Sequence, residues 1–186
     1  MSRIEKILDS VCAYLRKHGL EYVLIGGIVV VAYGINRSTT DIDMIIRMRR
    51  DQIANFVKFL KGNGFLIDYE DMITALKERS HVSAHDETSI YRLDIKGVYS
   101  EMDRRTIERG VTVDFHGIRA RIETPEDLIA AKLVFGSEQD VRDAEGVYVR
   151  QKKRLDMTYL EDACKRNGVL RELRAMVKRL EKMSEG

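Results

Sequence analysis

The chain has 186 residues, 44% hydrophobic and 33% charged. That length and mix fit one domain, or one domain with a small helical appendage, and exclude a disordered chain. Lys plus Arg number 32 against 30 Asp plus Glu, a net charge of +2, which excludes nucleic-acid binding by bulk charge alone.

In chain order, apolar residues at helical spacing from Ile4 to Leu15 predict a helix over 3–18, stopped by His18-Gly19. The N-terminal stretch is amphipathic and charged, unlike a signal peptide, and no segment approaches the roughly 20 apolar residues of a membrane span. Tyr22 to Ile25 reads as a buried strand, Ile28 to Tyr33 as a helix, and Asp41 to Met48 as a strand. Asp51 is the expected N-cap of a helix over 52–61. A short strand at 65–67 and a helix over 69–79 follow, whereas 80–88 is weakly patterned. Ile90 to Ile95 reads as a strand and 99–109 as a charged helix. VTVDF and IRARIE flank His116-Gly117 as a hairpin. Thr124-Pro125-Glu126-Asp127 is a helix start, and the remainder is helical with breaks expected near Gly136, Gly146 and Gly168. The expected class is α/β (α+β): a mixed sheet in a core over 1–123 and a helical region over 124–186.

Chemistry concentrates in Tyr22 to Met48. A strand ends in Gly26-Gly27 and a helix begins, so backbone N–H groups can approach a phosphate closely. Asp41-Ile42-Asp43 follows on a strand, where residues i and i+2 share a face. Two adjacent carboxylates repel unless a cation neutralises them. Hard oxygen donors of this kind suit Mg2+ that also contacts substrate phosphates.

Gly26, Gly27, Gly34, Arg37, Thr39, Asp41, Ile42 and Asp43 together resemble the nucleotidyltransferase fold of the DNA polymerase β superfamily, and more narrowly its minimal abortive-infection toxin (AbiEii) type. The similarity continues in TPEDLIAAKL, with Lys132, and in Arg142-Asp143. The resemblance implies an Mg-dependent enzyme that moves an NMP from an NTP to an acceptor hydroxyl on a tRNA, a protein or a small molecule. It also implies two Mg2+ ions on Asp41, Asp43 and a third acid. Asp94 and Asp114 are the candidates. In the resembled family the hairpin follows the third acid, which assigns Asp94 and leaves Asp114 to the turn. Gly26, Gly27, Arg37, Thr39 and Lys132 are then the expected phosphate-side residues. A toxin role implies an antitoxin partner; a catalytically silent nucleotide-binding or partner-binding module is the alternative.

The sequence departs from the family pattern at Gly27, where many members carry Ser, and at Gly146, where an acid is expected one place after Glu145. Other groups carry less. Cys12 and Cys164 lack metal-type spacing and read as reduced thiols of a cytoplasmic protein. His81 and His85 are i and i+4 in a segment that is not convincingly helical, and in a strand they would lie too far apart to share an ion. His116 is a turn residue. Arg150, Lys152, Lys153 and Arg154 read as a solvated face, and Asp143 as the structural partner of an arginine.

Overall fold

The computed structural model describes residues 1–184. Its contacts divide the chain into two units, one formed by 1–28 and 38–123, the other by 29–37 and the chain from Thr124 on. The mixed α/β class expected from the sequence is the one that forms.

The first unit opens with α1 (Arg3–Lys17), whose capping box pairs Ser2 with Glu5. Next come β1 (Glu21–Ile25) and α2 (Gly27–Ala32), which starts in this unit and runs into the second. Then follow β2 (Asp41–Arg47), α3 (Arg50–Gly62), β3 (Phe65–Leu66), α4 (Tyr69–Lys77), β4 (His81–Asp86), β5 (Arg92–Lys96), α5 (Glu101–Arg109), β6 (Val111–Phe115) and β7 (Ile118–Ile122).

The seven strands make one mixed sheet in the order β3-β4-β5-β2-β1-β7-β6. The β2–β5 and β1–β7 pairs are parallel, and the others antiparallel. Strand alternation sends Tyr22, Leu24, Ile42, Met44, Ile46, Leu93 and Ile95 to one buried face. Helix α1 packs on β7, and Tyr14 stacks on Phe59 of α3 with ring centroids 4.0 Å apart. The opposite face is divided along β2. Ile45 is covered by Ile107 of α5 in a small cluster with Val23, whereas Asp41 and Asp43 lie on the other half of the strand.

In the second unit, α6 (Pro125–Phe135) packs against α7 (Glu138–Gln151), α8 (Met157–Arg166) and α9 (Leu170–Ser184). Thr124 caps α6 by accepting from the Asp127 N–H, and Gly136 ends it in the left-handed conformation. Buried acids tie the helices together. Tyr159 Oη donates to Asp127 at 2.7 Å, and the Asp156 N–H donates to Glu126 at 2.9 Å.

Several expectations need correction. Residues 81–86 form β4, because Val82, Ala84 and Asp86 alternate inward although Ser, His and Ala carry little strand propensity. Asp51 does not cap α3. Arg49 is the N-cap, its N–H held by Gln52, and Asp51 lies in the first turn. Gly146 breaks no helix: it lies inside α7, where an added Cβ would come within 3.0 Å of Ile35 Cδ1. The hairpin forms as expected, with His116 and Gly117 both at positive φ, a two-residue turn between Phe115 and Ile118. The Cys12 and Cys164 thiols are free and buried, and burial pushes them up to about 11 and about 12. No helix among the described residues is long and apolar enough to cross a membrane.

One buried charge ties α1 to the sheet. Asp86 points into the core face and is held by Arg3, with Ser89 and Thr88 also donating to it. The Arg3 guanidinium is the main cause holding this carboxyl at about 2, against an ordinary 3.8. The folded value is depressed, so the stabilisation is complete above pH 4 and disappears as pH falls towards 2. Arg3 is partly exposed, so Arg3→Met should cost only about 1–2 kcal/mol at pH 7. Denaturant titrations of the two proteins should converge near pH 2.

Candidate active site

Parallel pairing aligns Asp41 with Arg92 and Asp43 with Asp94 across β2 and β5. All four side chains therefore share one sheet face, and Ser83 of β4, opposite Asp94, joins them. The three acids expected from the sequence thus stand on two neighbouring strands. Asp114 lies outside this set. It is exposed in the hairpin and accepts the Gly117 N–H at 2.9 Å.

The acids are bound internally. Arg92 Nη2 donates to Asp41 Oδ2 at 2.9 Å, and its Nε donates to Asp94 Oδ2 at 3.0 Å. Ser83 Oγ donates to Asp94 Oδ1 at 2.5 Å. Thr40 donates to Asp41 Oδ1 at 3.0 Å, while Thr39 donates to the Asp41 carbonyl at 3.1 Å. Thr39 therefore shapes the strand entry, and its neighbour touches the carboxylate.

Gly26 adjoins the acids. Its φ is +71°, and a Cβ there would sit 2.8 Å from Asp43 Oδ2. Glycine is required by both the left-handed backbone and the close approach. The Gly26 N–H donates to Glu123 Oε1 at 2.8 Å. A buried carboxylate thus holds the first amide of the strand-to-helix turn, and Gly27 opens α2.

Asp41, Asp43 and Asp94 offer hard oxygen donors on one face, which suits a divalent cation bridging to phosphate. As the side chains stand, no three His, Cys, Asp or Glu residues among those described are grouped to hold one ion. Arg92 binds both Asp41 and Asp94. The donor set fits Mg2+ in chemistry and register, and its rotamers are set by an internal cation.

The other expected residues form a separate cluster within the second unit. Lys132 Nζ lies 2.8 Å from Asp140 Oδ1 and 3.0 Å from Asp143 Oδ2. Arg37 pairs with Asp143 at 2.6 Å, and Gln139 donates to the other Asp143 oxygen. Burial pushes the Asp140 carboxyl up, but Lys132 and Ser137 together hold it below its ordinary range. Both cations already have carboxylate partners. Arg142 is exposed; it pairs with Glu138 and donates to Gln139 at the edge of this cluster.

Residues 3–179 match the family described as "Nucleotidyltransferase of unknown function (DUF6036)". The chain belongs to this nucleotidyltransferase family. Solved structures agree on the fold. An antigenic nucleotidyltransferase-like protein from Paracoccidioides brasiliensis superposes with TM-score 0.63 at 12% identity, covering 97% of this chain and 90% of that one. The ANT(2")-Ia complex with adenylyl-2"-tobramycin gives 0.60 at 10%, covering 93% and 99%. Lincomycin-bound LnuA, a lincosamide antibiotic adenylyltransferase, gives 0.53 at 19%, covering 77% and 95%. No curated protein matches the sequence significantly.

Within this DUF6036 nucleotidyltransferase, sequence reasoning overlooked Arg92, Ser83 and Glu123. Arg92 carried a usable signal, because it lies two places before Asp94 and so shares its face. Ser83 and Glu123 carried none, because only sheet register and the turn at Gly26 bring them in.

The Lys132 cluster balances two cations against two carboxylates in a largely buried setting. Lys132→Ala leaves Asp140 without its lysine, though Arg37 still serves Asp143. The expected cost is about 2–4 kcal/mol in a denaturant titration. Unchanged stability with a raised KM for NTP would instead give Lys132 a phosphate-binding role.

Proposed function

We propose that this chain transfers a nucleoside monophosphate from an NTP to an acceptor hydroxyl and releases pyrophosphate. The observation that carries this reading is the in-register set of Asp41, Asp43 and Asp94 beside the glycine turn. The hydroxyl oxygen attacks the α-phosphorus, the bond to the bridging β-phosphate oxygen breaks, and the hydroxyl proton passes to Asp94. Ser83 orients Asp94 by donating to Oδ1, which leaves Oδ2 to accept from Arg92 Nε. Asp41, Asp43 and Asp94 are the residues that would hold two Mg2+ ions. When bound, these ions neutralise triphosphate charge and stabilise both the attacking and the leaving oxygen. Gly26 and Gly27 let the triphosphate approach the backbone, and Thr39 anchors the strand entry that presents Asp41.

The family supports nucleotidyl transfer in general. ANT(2")-Ia with adenylyl-2"-tobramycin and LnuA with lincomycin support a small hydroxyl-bearing acceptor and transfer of AMP. The test incubates the full chain with each α-labelled NTP, Mg2+ and a panel of aminoglycosides, lincosamides, tRNA and proteins. We expect label transfer to a small acceptor and at least a roughly 1,000-fold loss in Asp43→Asn, about 4 kcal/mol of transition-state stabilisation. Equal transfer by Asp43→Asn would exclude this site.

The Arg92 bridge supports a second reading, a silent nucleotide-binding or partner-binding module. Nucleotide binding with no product from any acceptor is its signature. The sequence resemblance to abortive-infection toxins adds a third, biological reading with an antitoxin partner. That reading predicts growth arrest on expression, relieved by Asp43→Asn at equal protein level.

A further inference from the structure

Three carboxylates on adjacent strands repel one another, and the fold supplies its own answer. Arg92 faces Asp41 directly across the parallel pair and precedes Asp94 by two residues on β5. Its guanidinium therefore reaches both strands, with Nη2 on Asp41 and Nε on Asp94. The oxygens it uses, Asp41 Oδ2 and Asp94 Oδ2, belong to the carboxylates that would ligate a divalent ion. A planar fork can serve two carboxylates at once, which an ammonium on a flexible stem does poorly.

We infer that Arg92 is a positioning residue and the resident counter-cation of this site: it holds Asp41 and Asp94 together before metal loading, and the incoming divalent ion displaces it. The inference rests on the metal-dependent reading above. Three features support it. The Arg92 side chain is 40% exposed, so it can rotate away without opening the core. Asp94 is only 14% exposed, so a lost partner is poorly replaced by water. A guanidinium is not deprotonated in proteins, so its charge is permanent. Displacement must then be by competition and not by deprotonation. Arg92 thus sets a threshold. It stabilises the metal-free protein, weakens divalent binding by the free energy of its own two contacts, and favours a cation that arrives with a second source of binding, such as a nucleotide.

The experiment titrates Mn2+ against the full chain without nucleotide, following the free-ion signal by electron paramagnetic resonance. Wild type, Arg92→Met, Arg92→Lys and Asp43→Asn are compared, each with a melting curve in EDTA and in saturating Mn2+. Arg92→Met should bind Mn2+ about tenfold tighter than wild type, the equivalent of one charge-assisted contact. It should also melt lower in EDTA, with Mn2+ closing the gap. Arg92→Lys should fall between the two, which keeps the test available if the Met variant does not fold. In wild type, the Arg92 Nε–H resonance should shift when diamagnetic Mg2+ is added. If Asp43→Asn weakens Mn2+ binding but neither Arg92 variant tightens it, the Arg92 role is overturned and the metal site stands. If no protein in the set binds Mn2+, both fall.

Discussion

The parallel register between β2 and β5 is the constraint on which the rest depends. Five consecutive pairs, from Asp41↔Arg92 to Ile45↔Lys96, lock it. Because side chains alternate, the same register seats Ile42, Met44, Leu93 and Ile95 in the core and sends Asp41, Asp43 and Asp94 to the opposite face. A one-residue slip of β2 would turn Asp41 and Asp43 towards the core and Ile42 and Met44 away from it. The packing that stabilises the sheet is thus also what gathers the acids. The backbone alignment of the acids comes with the core, and Arg92 offsets their mutual repulsion.

Much of this was legible because its signals are local. The period of two around Asp41 and Asp43, the glycine pair before α2, and Thr124-Pro125 before α6 each act within a few residues. What escaped depends on distant partners. Strand β4 exists because β3 and β5 flank it, not because His81 to Asp86 favour extended backbone. Gly146 reads as a helix break in sequence but is a packing residue under Ile35. Asp143 reads in sequence as the partner of an arginine, but only the fold shows that Arg37 is that arginine and that Lys132 and Asp140 join the pair. The acids were visible one strand at a time; their partners appear only once register is known.

The second unit handles charge in a complementary way. Asp143 is almost fully buried and satisfies both oxygens, one with Gln139 and the other with Arg37 and Lys132. Removing one member of such a set costs more than the set itself contributes, because the remainder stays desolvated. The buried acids Glu126 and Asp127 in the first turn of α6 likewise receive donors from α8. A helix start rich in acids suits the dipole, and here those acids also fix the neighbouring helix. The TPED segment is therefore accounted for by architecture alone, whatever its resemblance to family sequence.

On the proposed reading, two groups in the first unit hold partners that a metal-bound nucleotide would take, each with the charge of the ligand it precedes. Arg92 places a cation on the acids, and Glu123 places an anion on the Gly26 amide. On the proposed reading, substrate entry is an exchange: a divalent ion for a guanidinium, and a phosphate for a carboxylate. As the side chains stand, the acids and the Gly26 amide have internal partners and avoid the cost of stripped buried charge. The exchange also means that affinity is a difference between two sets of contacts of similar kind. Neither half of the ligand gains much alone, since each must displace a good internal partner. A ligand carrying both charges displaces both at once, which favours the metal–nucleotide complex over either component.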